Sequence, residues 1–519
     1  MRKITFARLT SKMQPTVFFG SATVVVAFCL FGGLYTDTAA SIFKTLRTGI
    51  SHLFGWYYLL AATGFLVFAI WLGVSRHARL RMGRDDERPE FGTIAWLTML
   101  FAAGMGIGLV FWGVAEPLTH YLEPPDADPR TAEALRQSLR YTFFHWGLHP
   151  WAIYLILALG LAFFHFRKGL PLAPRSVLYP LIGDRIHGPV GHATDILCTV
   201  GTLLGVATSL GLGAMQINEG LTRFLGIPSN VTMQLIIIAS ITAVATLSVV
   251  IGLQGGVRRL SMANLWLAGG LWLFVLIAGP TLFIAETFVS GLGIYLQTLP
   301  VTSLRLDLKD PSGWQATWTL FYWGWWISWS PFVGVFVARI SRGRTVREMV
   351  TAMLLVPTAA SFAWFAVFGG TALSLEIERG VDLAQRVIET PAISLHATLD
   401  HLPLATVSTA VGTLVIIIFF ITSSDSGSLV DDMVTSGGHP DPPKPQRVFW
   451  ACAEGAVAGI LLVLGGLTAM QNAAISLGLP MSVLLVVASV ALVRAFRAEC
   501  RTPGSRTPDK RRRNNSAAE

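Results

Sequence analysis

Long apolar runs recur along almost the whole chain and constrain its fold more than any other feature. A helix needs roughly 20 apolar residues to cross a bilayer, and such runs lie at about 16–36, 54–75, 93–115, 141–164, 192–217, 232–252, 261–290, 316–338, 348–374, 404–430, 447–468 and 475–496. Because 53% of the residues are hydrophobic and only 13% are charged, a soluble domain is excluded. The sequence therefore predicts an all-α integral membrane protein with twelve transmembrane helices.

The basic residues of the loops predict the orientation, since cytoplasmic loops carry an excess of Lys and Arg. With a cytoplasmic N-terminus, 29 of the 39 basic residues fall on the cytoplasmic side. We therefore predict a multi-pass protein of the cell (inner) membrane with both termini in the cytoplasm. The same rule explains the net charge of +9 without a nucleic-acid partner. An acidic outer loop is predicted at 116–140, and a basic, disordered tail at 497–519.

Four tryptophans within seven residues, at 323, 325, 326 and 329, mark the most unusual stretch. Indole faces attract cations without a counter-ion. At 100° per residue, Trp325 and Trp329 differ by only about 40° around the predicted helix. On the fourth predicted helix, Trp146, Trp151 and Tyr154 fall within about 140° of one another. Two aromatic faces could therefore form a box around a positively charged ligand.

An interfacial aromatic belt is the alternative interpretation of these tryptophans. It suits Trp56, Trp96 and Trp314, which lie near the ends of their predicted helices. It suits the 323–329 cluster less well, because that cluster lies well inside its helix.

Three glycines at 104, 106 and 108 weaken the third predicted helix by about 1 kcal/mol each relative to alanine. Such a segment favours unwound backbone whose carbonyls can contact a ligand or ion. Met105, Gly106 and Gly108 are therefore candidate substrate-binding residues. The eighth predicted helix, 316–338, also looks interrupted, with Gly324, Pro331 and Gly334.

Interrupted helices at matching positions are typical of internal repeats. They predict a five-plus-five inverted repeat in helices 3–12. Its halves would cover 93–290 and 291–496, and residues 1–92 would lie outside it.

A cluster of hydroxyl groups, Thr422-Ser423-Ser424-Asp425-Ser426, lies near the end of the tenth apolar run. Two hydroxyls, with main-chain carbonyls from the 104–108 break, would suffice for a sodium ion. Alternatively, the hydroxyls bond only to carbonyls one turn back. Asp425, a carboxylate near the membrane boundary, is a functional candidate, and Arg339 is its hypothetical partner in an inner gate.

These residues resemble the betaine/carnitine/choline transporter family over about 15–495. The resemblance is carried by Gly104–Gly108, His145–Tyr154, Trp318–Gly334, Ala338–Arg344 and Phe419–Ser428. It implies the twelve-helix inverted-repeat fold and a homotrimer. It also implies an aromatic box of Trp146, Trp151, Tyr154 and Trp326, with Trp325 and Trp329 on the cytoplasmic side of the path. A sodium site would use carbonyls of Ala102, Met105 and Phe419 and the hydroxyls of Thr422 and Ser423.

The resemblance implies a secondary active transporter that imports a quaternary-ammonium compatible solute for osmoprotection, coupled to sodium, by alternating access. Gly108 favours a substrate like glycine betaine, since choline-selective relatives carry an acidic residue in this motif. Sodium-coupled relatives have hydroxyl residues at positions that align with Thr202 and Val206. Val206 has no side-chain oxygen, so a second sodium site would need Thr208 or Ser209 in its place. No cofactor is expected other than sodium as the coupling ion.

Four alternatives stay open at this point. A proton-coupled choline or betaine carrier would use His145, His149 or Asp425 as a relay. A sodium-independent carnitine or betaine exchanger would carry an arginine in the fifth helix, and none occurs between 195 and 217. A channel would need a continuous polar lining. An enzyme is disfavoured, because the sequence has no His/Asp/Glu cluster at metal-ligand spacing.

Overall fold

A computed structural model describes residues 12–104, 106–251, 254–307, 313–439 and 441–501. Their regular structure is helical, apart from one isolated antiparallel bridge between Arg81 and Thr345. The α-helices are α1 (Pro15–Leu34), α2 (Thr36–Val74), α3 (Thr93–Gly104), α4 (Ile107–Leu122), α5 (Ala132–Trp146), α6 (Leu148–Ala162), α7 (Tyr179–Ile182), α8 (Pro189–Leu225), α9 (Val231–Ile251), α10 (Gln254–Ala278), α11 (Thr281–Ser303), α12 (Trp314–Thr317), α13 (Thr319–Ile340), α14 (Val346–Ile377), α15 (Leu383–Glu389), α16 (Ser394–Leu399), α17 (Ala405–Thr435), α18 (Lys444–Val463) and α19 (Leu467–Arg501).

Short helical turns complete the described structure. Turns of 3-10 helix lie at Arg76–Arg79, Pro174–Leu178, Gly183–His187 and Pro391–Ile393, and a π-helical turn at Phe163–Arg167 extends α6. Eleven helical segments in the described ranges are long and apolar enough to cross a membrane. The predicted all-α membrane class is therefore confirmed.

The predicted span 261–290 was wrong in its second half. Helix α10 ends at Ala278, and α11 begins a new helix at Thr281. Pro280 lies between them, and it has no backbone N–H to continue the helical hydrogen bonds. The apolar run is therefore two helices joined by a turn.

The two helices that the sequence marked as interrupted differ in the structure. Helix α3 ends at Gly104, Gly106 is extended, and α4 begins at Ile107, as the glycines predicted. Helix α13, in contrast, runs without a break from Thr319 to Ile340 through Pro331. The proline leaves the carbonyl of Ile327 without its usual donor, and the hydroxyl of Ser330 donates to that carbonyl at 2.7 Å.

The glycines of α13 serve close packing between helices. A β-carbon at Gly324 would lie 2.8 Å from the carbonyl oxygen of Ala474 and 2.9 Å from the Cα of Ile475, both backbone atoms of α19. A β-carbon at Gly334 would lie 2.8 Å from the Cβ of Leu157 in α6. The absence of side chains at these two positions lets α13 approach both neighbours.

A second break, which the sequence analysis did not predict, divides the fourth predicted span at Gly147. Helix α5 ends at Trp146 and α6 begins at Leu148. A β-carbon at Gly147 would lie 2.6 Å from both the carbonyl oxygen of Phe143 and the hydroxyl of Tyr295. The Leu148 N–H donates to that hydroxyl at 3.0 Å. A single helical wheel therefore does not relate Trp146 to Trp151.

Helix α6 lies at the centre of the protein, because all of its residues from His149 to Ala162 are buried. It packs against α13, in which all but three residues are buried. In contrast, only 22% of the apolar window is buried in each of α1, α9, α10 and α11. The two central helices carry three of the four residues of the predicted aromatic box, Trp151, Tyr154 and Trp326.

Gly324 offers a test of this packing. We expect Gly324→Val to destabilise the protein by about 1–3 kcal/mol, since overpacking against backbone cannot relax easily. Gly270→Val is the control, because a β-carbon at Gly270 meets no atom within 4 Å. The measurement is the thermal unfolding midpoint of both purified variants in detergent. Equal midpoints would contradict the packing role of Gly324.

Candidate substrate site

The four predicted box residues come from three helices. Trp146 is the last residue of α5, Trp151 and Tyr154 lie in the first two turns of α6, and Trp326 lies in the middle of α13. Gly147 turns the chain between α5 and α6. All four side chains are buried, so the rings face the interior of the helix bundle.

The structure brings these four rings into one group. The ring centroids of Trp146 and Trp326 are 5.0 Å apart at an interplanar angle of 74°. Tyr154 lies 6.3 Å from Trp326 at 81°, and Trp151 lies 5.5 Å from Tyr154 at 75°. These edge-to-face arrangements are favourable for aromatic pairs. They also turn neighbouring ring faces in different directions, as a cage around one cation requires.

Trp325 and Trp329 extend the aromatic group along α13. Trp325 stacks on Trp326 at 4.7 Å and 13°, and on Trp329 at 6.3 Å and 16°. Trp329 stacks on Phe332 at 5.5 Å and 5°. This ladder runs from the box toward Arg339, the end of α13 that the sequence analysis placed in the cytoplasm.

Gly108 lies against the box. A β-carbon there would lie 2.7 Å from Cη2 of Trp325 and 3.4 Å from Cη2 of Trp146. Gly106 precedes α4 in an extended conformation, with open space around its β-carbon position. Met105, the third predicted contact in this segment, lies outside the described residues.

Hydrogen bonds hold two of the box tryptophans. The indole N–H of Trp326 donates to the carbonyl of His145 at 3.1 Å, and that of Trp146 donates to Oε2 of Glu116 at 2.7 Å. The indole nitrogens of Trp151 and Trp329 and the hydroxyl of Tyr154 are buried and meet no partner among the described residues. Buried polar groups are normally hydrogen-bonded, so these three donors are available to an acceptor on a bound ligand.

Glu116 connects the box to a polar network that sequence reasoning missed. Besides Trp146, its Oε2 accepts a hydrogen bond from the hydroxyl of Tyr322 at 2.5 Å. Its Oε1 lies 2.7 Å from Nδ1 of His145 and 3.2 Å from Nε2 of His120. Tyr322 in turn stacks on Trp326 at 5.7 Å and 25°. One fully buried carboxylate thus positions Trp146 directly and Trp326 through its neighbours.

The prediction that Glu116 begins an outer loop was wrong. Helix α4 continues through Pro117 to Leu122, and Glu116 is 0% exposed. The i, i+4 spacing of Glu116 and His120 within an otherwise apolar stretch was the available signal. The expectation of no His/Asp/Glu cluster was also wrong, because ligand atoms of Glu116, His120 and His145 lie within 4.8 Å of one another. Hydrogen bonds from Trp146 and Tyr322 already engage this carboxylate.

The outer loop predicted at 116–140 is shorter than expected, because α4 ends at Leu122 and α5 begins at Ala132. An ion pair also tethers this loop to the rest of the protein. Asp126 forms an ion pair with Arg305, which also donates to the hydroxyl of Tyr141 at 2.6 Å. The hydrogen bond with Asp126 raises the pKa of Arg305.

Two tryptophans assigned to an interfacial belt, Trp96 and Trp314, are buried, whereas Trp56 is exposed.

The predicted sodium ligands are described only in part. Phe419, Thr422 and Ser423 share α17 and are half-buried. The hydroxyl of Thr422 donates to the carbonyls of Ile418 at 2.9 Å and Phe419 at 3.2 Å, which is the local bonding considered as the alternative. Ala102 lies in the last turn of α3, and Met105 lies outside the described ranges.

The start of α4 nevertheless lies beside α17. A β-carbon at Gly213 of α8 would touch Ile107 at 2.9 Å and Phe420 at 3.3 Å. The first residue of α4, which follows the 104–106 break, therefore lies close to α17. On α8, Thr202 and Val206 are buried, and the methyl groups of Val206 lie 3.0 and 3.1 Å from the β-carbon position of Gly427.

The predicted gate pair of Asp425 and Arg339 is not formed within the described part of the chain. Asp425 pairs with Arg447 of α18 at 3.2 Å, and Nη1 of Arg339 lies 3.6 Å from the sulfur of Met433. Asp425 therefore has a different basic partner in this structure.

Comparison with known proteins settles the family. The sequence profile of the betaine/carnitine/choline family transporters matches residues 16–501. The chain belongs to this family. The resemblance inferred from the tryptophan and glycine motifs is thereby confirmed, and the chain is a transporter rather than an enzyme.

Individual relatives of this betaine/carnitine/choline transporter match over nearly the whole chain. An uncharacterized transporter of Mycobacterium tuberculosis is 49% identical over 93% of this chain and 83% of its own length. The glycine betaine transporter OpuD of Bacillus subtilis is 43% identical over 94% of this chain and 96% of its own. A glycine betaine/proline/choline transporter of Vibrio parahaemolyticus is 43% identical over 93% of this chain and 90% of its own length.

Gly108 tests the contact between α4 and the box of this transporter. We expect Gly108→Ala to raise the KM for substrate uptake at least about fivefold, because the displaced Trp325 costs at least about 1 kcal/mol of overpacking. Gly106→Ala is the matched control, since its added methyl meets open space. The measurement is uptake kinetics in proteoliposomes. A KM that is unchanged in Gly108→Ala would contradict the assigned contact.

Glu116 gives a second test of the site. A leucine has no acceptor oxygen, so Glu116→Leu removes the acceptor of the hydrogen bonds from Trp146 and Tyr322. Hydrogen bonds to a charged group contribute about 1.5–3 kcal/mol, and we expect the KM for substrate uptake to rise at least about tenfold. Glu133→Leu, at an exposed position, should leave the KM unchanged. If both variants match the wild type in uptake kinetics, Glu116 does not position the box.

Proposed function

We propose that this transporter imports a quaternary-ammonium compatible solute of the glycine betaine type, and that Trp146, Trp151, Tyr154 and Trp326 bind its cationic head. The observation that carries the proposal is the meeting of these four buried rings around α6 and α13. A trimethylammonium group has no hydrogen-bond donor and a diffuse charge. A dry aromatic cage attracts such a cation by about 2 kcal/mol or more.

The carboxylate of the solute would take the donors that the protein leaves unused. The Nε1 atoms of Trp151 and Trp329 and the Tyr154 hydroxyl are buried without a partner among the described residues. A zwitterion therefore suits the site better than a simple cation such as choline. The names of the Bacillus and Vibrio relatives, which include glycine betaine, support the same substrate class.

We propose sodium as the coupling ion, held by carbonyls of Ala102, Met105 and Phe419 and the hydroxyls of Thr422 and Ser423. The support is the chemistry of hard oxygen ligands and the position of α17 beside the start of α4. A sodium ion between these helices would favour the pose of Gly108 against the box, which couples the ion to the substrate. Alternating access would follow from movement of one half of the inverted repeat against the other.

The membrane placement belongs to the same proposal. The transporter would lie in the inner membrane with both termini cytoplasmic, which the asymmetry of basic loop residues supports. Family resemblance supports a homotrimer.

Proton coupling is the second candidate, and one specific observation favours it. Glu116, His120 and His145 form a fully buried titratable cluster one hydrogen bond away from Trp146. Buried ionisable groups in membrane spans are typical of proton relays. A proton gradient would then drive uptake in place of a sodium gradient.

One experiment separates these proposals. Radiolabelled glycine betaine uptake is measured in proteoliposomes with an inward sodium gradient, without sodium, and with a protonophore. We expect uptake to require sodium and to survive the protonophore when the membrane potential is clamped. Uptake without sodium that collapses with the protonophore would establish the proton-coupled alternative.

The same assay tests the box. Trp326→Leu removes one indole face, and we expect the KM to rise at least about tenfold, since a desolvated cation–π contact contributes about 2 kcal/mol. Trp266→Leu is the matched control, because Trp266 of α10 is 75% exposed. Unchanged KM in Trp326→Leu would overturn the assignment of the box.

A further inference from the structure

A cluster of carboxylates that outnumbers its basic partner is buried where α17 packs on α18. Asp431, Asp432 and Glu454 are each 0% exposed. A fourth carboxylate, Asp425, is paired with Arg447 at 3.2 Å. Both carboxylate oxygens of Asp431 and of Asp432 and the Oε1 of Glu454 meet no hydrogen-bond partner among the described residues. A buried carboxylate in such a setting is neutralised by a proton, a paired charge or a coordinated ion.

The side chains of Asp431 and Glu454 lie along the same strip of the α17 surface. At 100° per residue, Ser424, Gly427, Ser428 and Asp431 fall within about 100° of one another on that helix. Ser424 donates to the Oε2 of Glu454 at 3.0 Å. The other oxygen, Oε1, lies 2.5 Å from the position of a β-carbon at Gly427. Because Gly427 is nearer to Asp431 along the helix than Ser424 is, the unpartnered oxygen of Glu454 lies on the side of Asp431.

Arg447 lies against this cluster but cannot balance it. It pairs with Asp425, and its charge also acts on Asp432 and Glu454. Asp431 and Glu454 repel one another. A single guanidinium is therefore shared among several carboxylates, and the hydroxyl of Ser424 lies beside Glu454.

We propose that Asp431 and Glu454 bind a monovalent alkali cation between α17 and α18. Carboxylate and hydroxyl oxygens are the hard ligands that such ions take. A calcium ion would require six to eight oxygens, and magnesium keeps several waters. In the described ranges, three acidic or histidine ligand atoms converge within 4.8 Å only at Glu116, His120 and His145. Two carboxylates at a closed helix interface suit a single positive charge.

This cation site is separate from the sodium site proposed above. Thr422 lies about 200° around α17 from Ser424, on the opposite face of the helix. A cation between Asp431 and Glu454 would tie α17 to α18 and stabilise their packing. The inference does not depend on betaine transport or on the aromatic box.

Ion-dependent unfolding of the purified full-length protein in detergent tests this site. The starting protein carries Thr422→Ala and Ser423→Ala, which remove the hydroxyls of the other proposed site. Its unfolding midpoint is measured in increasing NaCl or KCl, with N-methyl-D-glucamine chloride at equal ionic strength as the reference. We expect a saturable rise with the alkali cation, since a ligand that binds the folded state stabilises it.

Adding Asp431→Asn and Glu454→Gln to this background should abolish the rise. Asp128→Asn with Glu133→Gln is the control pair, because it removes the same charge at exposed positions and should preserve the rise. The absence of any alkali-specific rise in the starting protein would overturn the proposal, even if the Asp431/Glu454 variant fails to fold. So would a rise that persists in that variant, or one produced by magnesium or calcium alone.

Discussion

The attraction between aromatic faces and a diffuse positive charge is the interaction on which the proposed function depends. It requires ring faces in different orientations that are buried close together. Helices α5, α6 and α13 meet this requirement because Gly147 turns the chain between Trp146 and Trp151, while Gly324 and Gly334 let α13 approach its neighbours. The glycines that weaken individual helices thus permit the packing that assembles the rings.

A buried carboxylate holds the rings of the aromatic box in a defined arrangement. Stacked rings alone can slide, because dispersion has little directional preference. Glu116 adds directional bonds to Trp146, Tyr322 and His145, and the carbonyl of His145 fixes the indole of Trp326. Such networks are stabilising only when every member is satisfied. Replacement of one member should therefore disturb the whole box rather than a single contact.

Sequence patterns predicted the parts of the site that depend on composition and helical period. The apolar runs predicted most spans, and the density of tryptophan near residue 326 predicted where ring faces concentrate. The breaks were harder to predict. The break at Gly104–Gly108 was recognised because three glycines are closely spaced. Gly147 is a single glycine, and the reason that no side chain fits there is the packing of Tyr295 against it, which the sequence does not show. Pro331 was misjudged because Ser330 compensates for the missing donor. Glu116 was assigned to a loop because its partners His145, Trp146 and Tyr322 come from two other helices, α5 and α13.

The central claim is that the site recognises the charge of the quaternary ammonium group and not only its shape. It is tested most directly by equilibrium binding to the purified protein, measured by isothermal titration calorimetry. Glycine betaine is compared with 3,3-dimethylbutanoate, in which a carbon atom replaces the charged nitrogen. The account predicts that betaine binds at least about tenfold more tightly, because a desolvated cation–π interaction contributes about 2 kcal/mol or more. Equal affinity for the two compounds would contradict it.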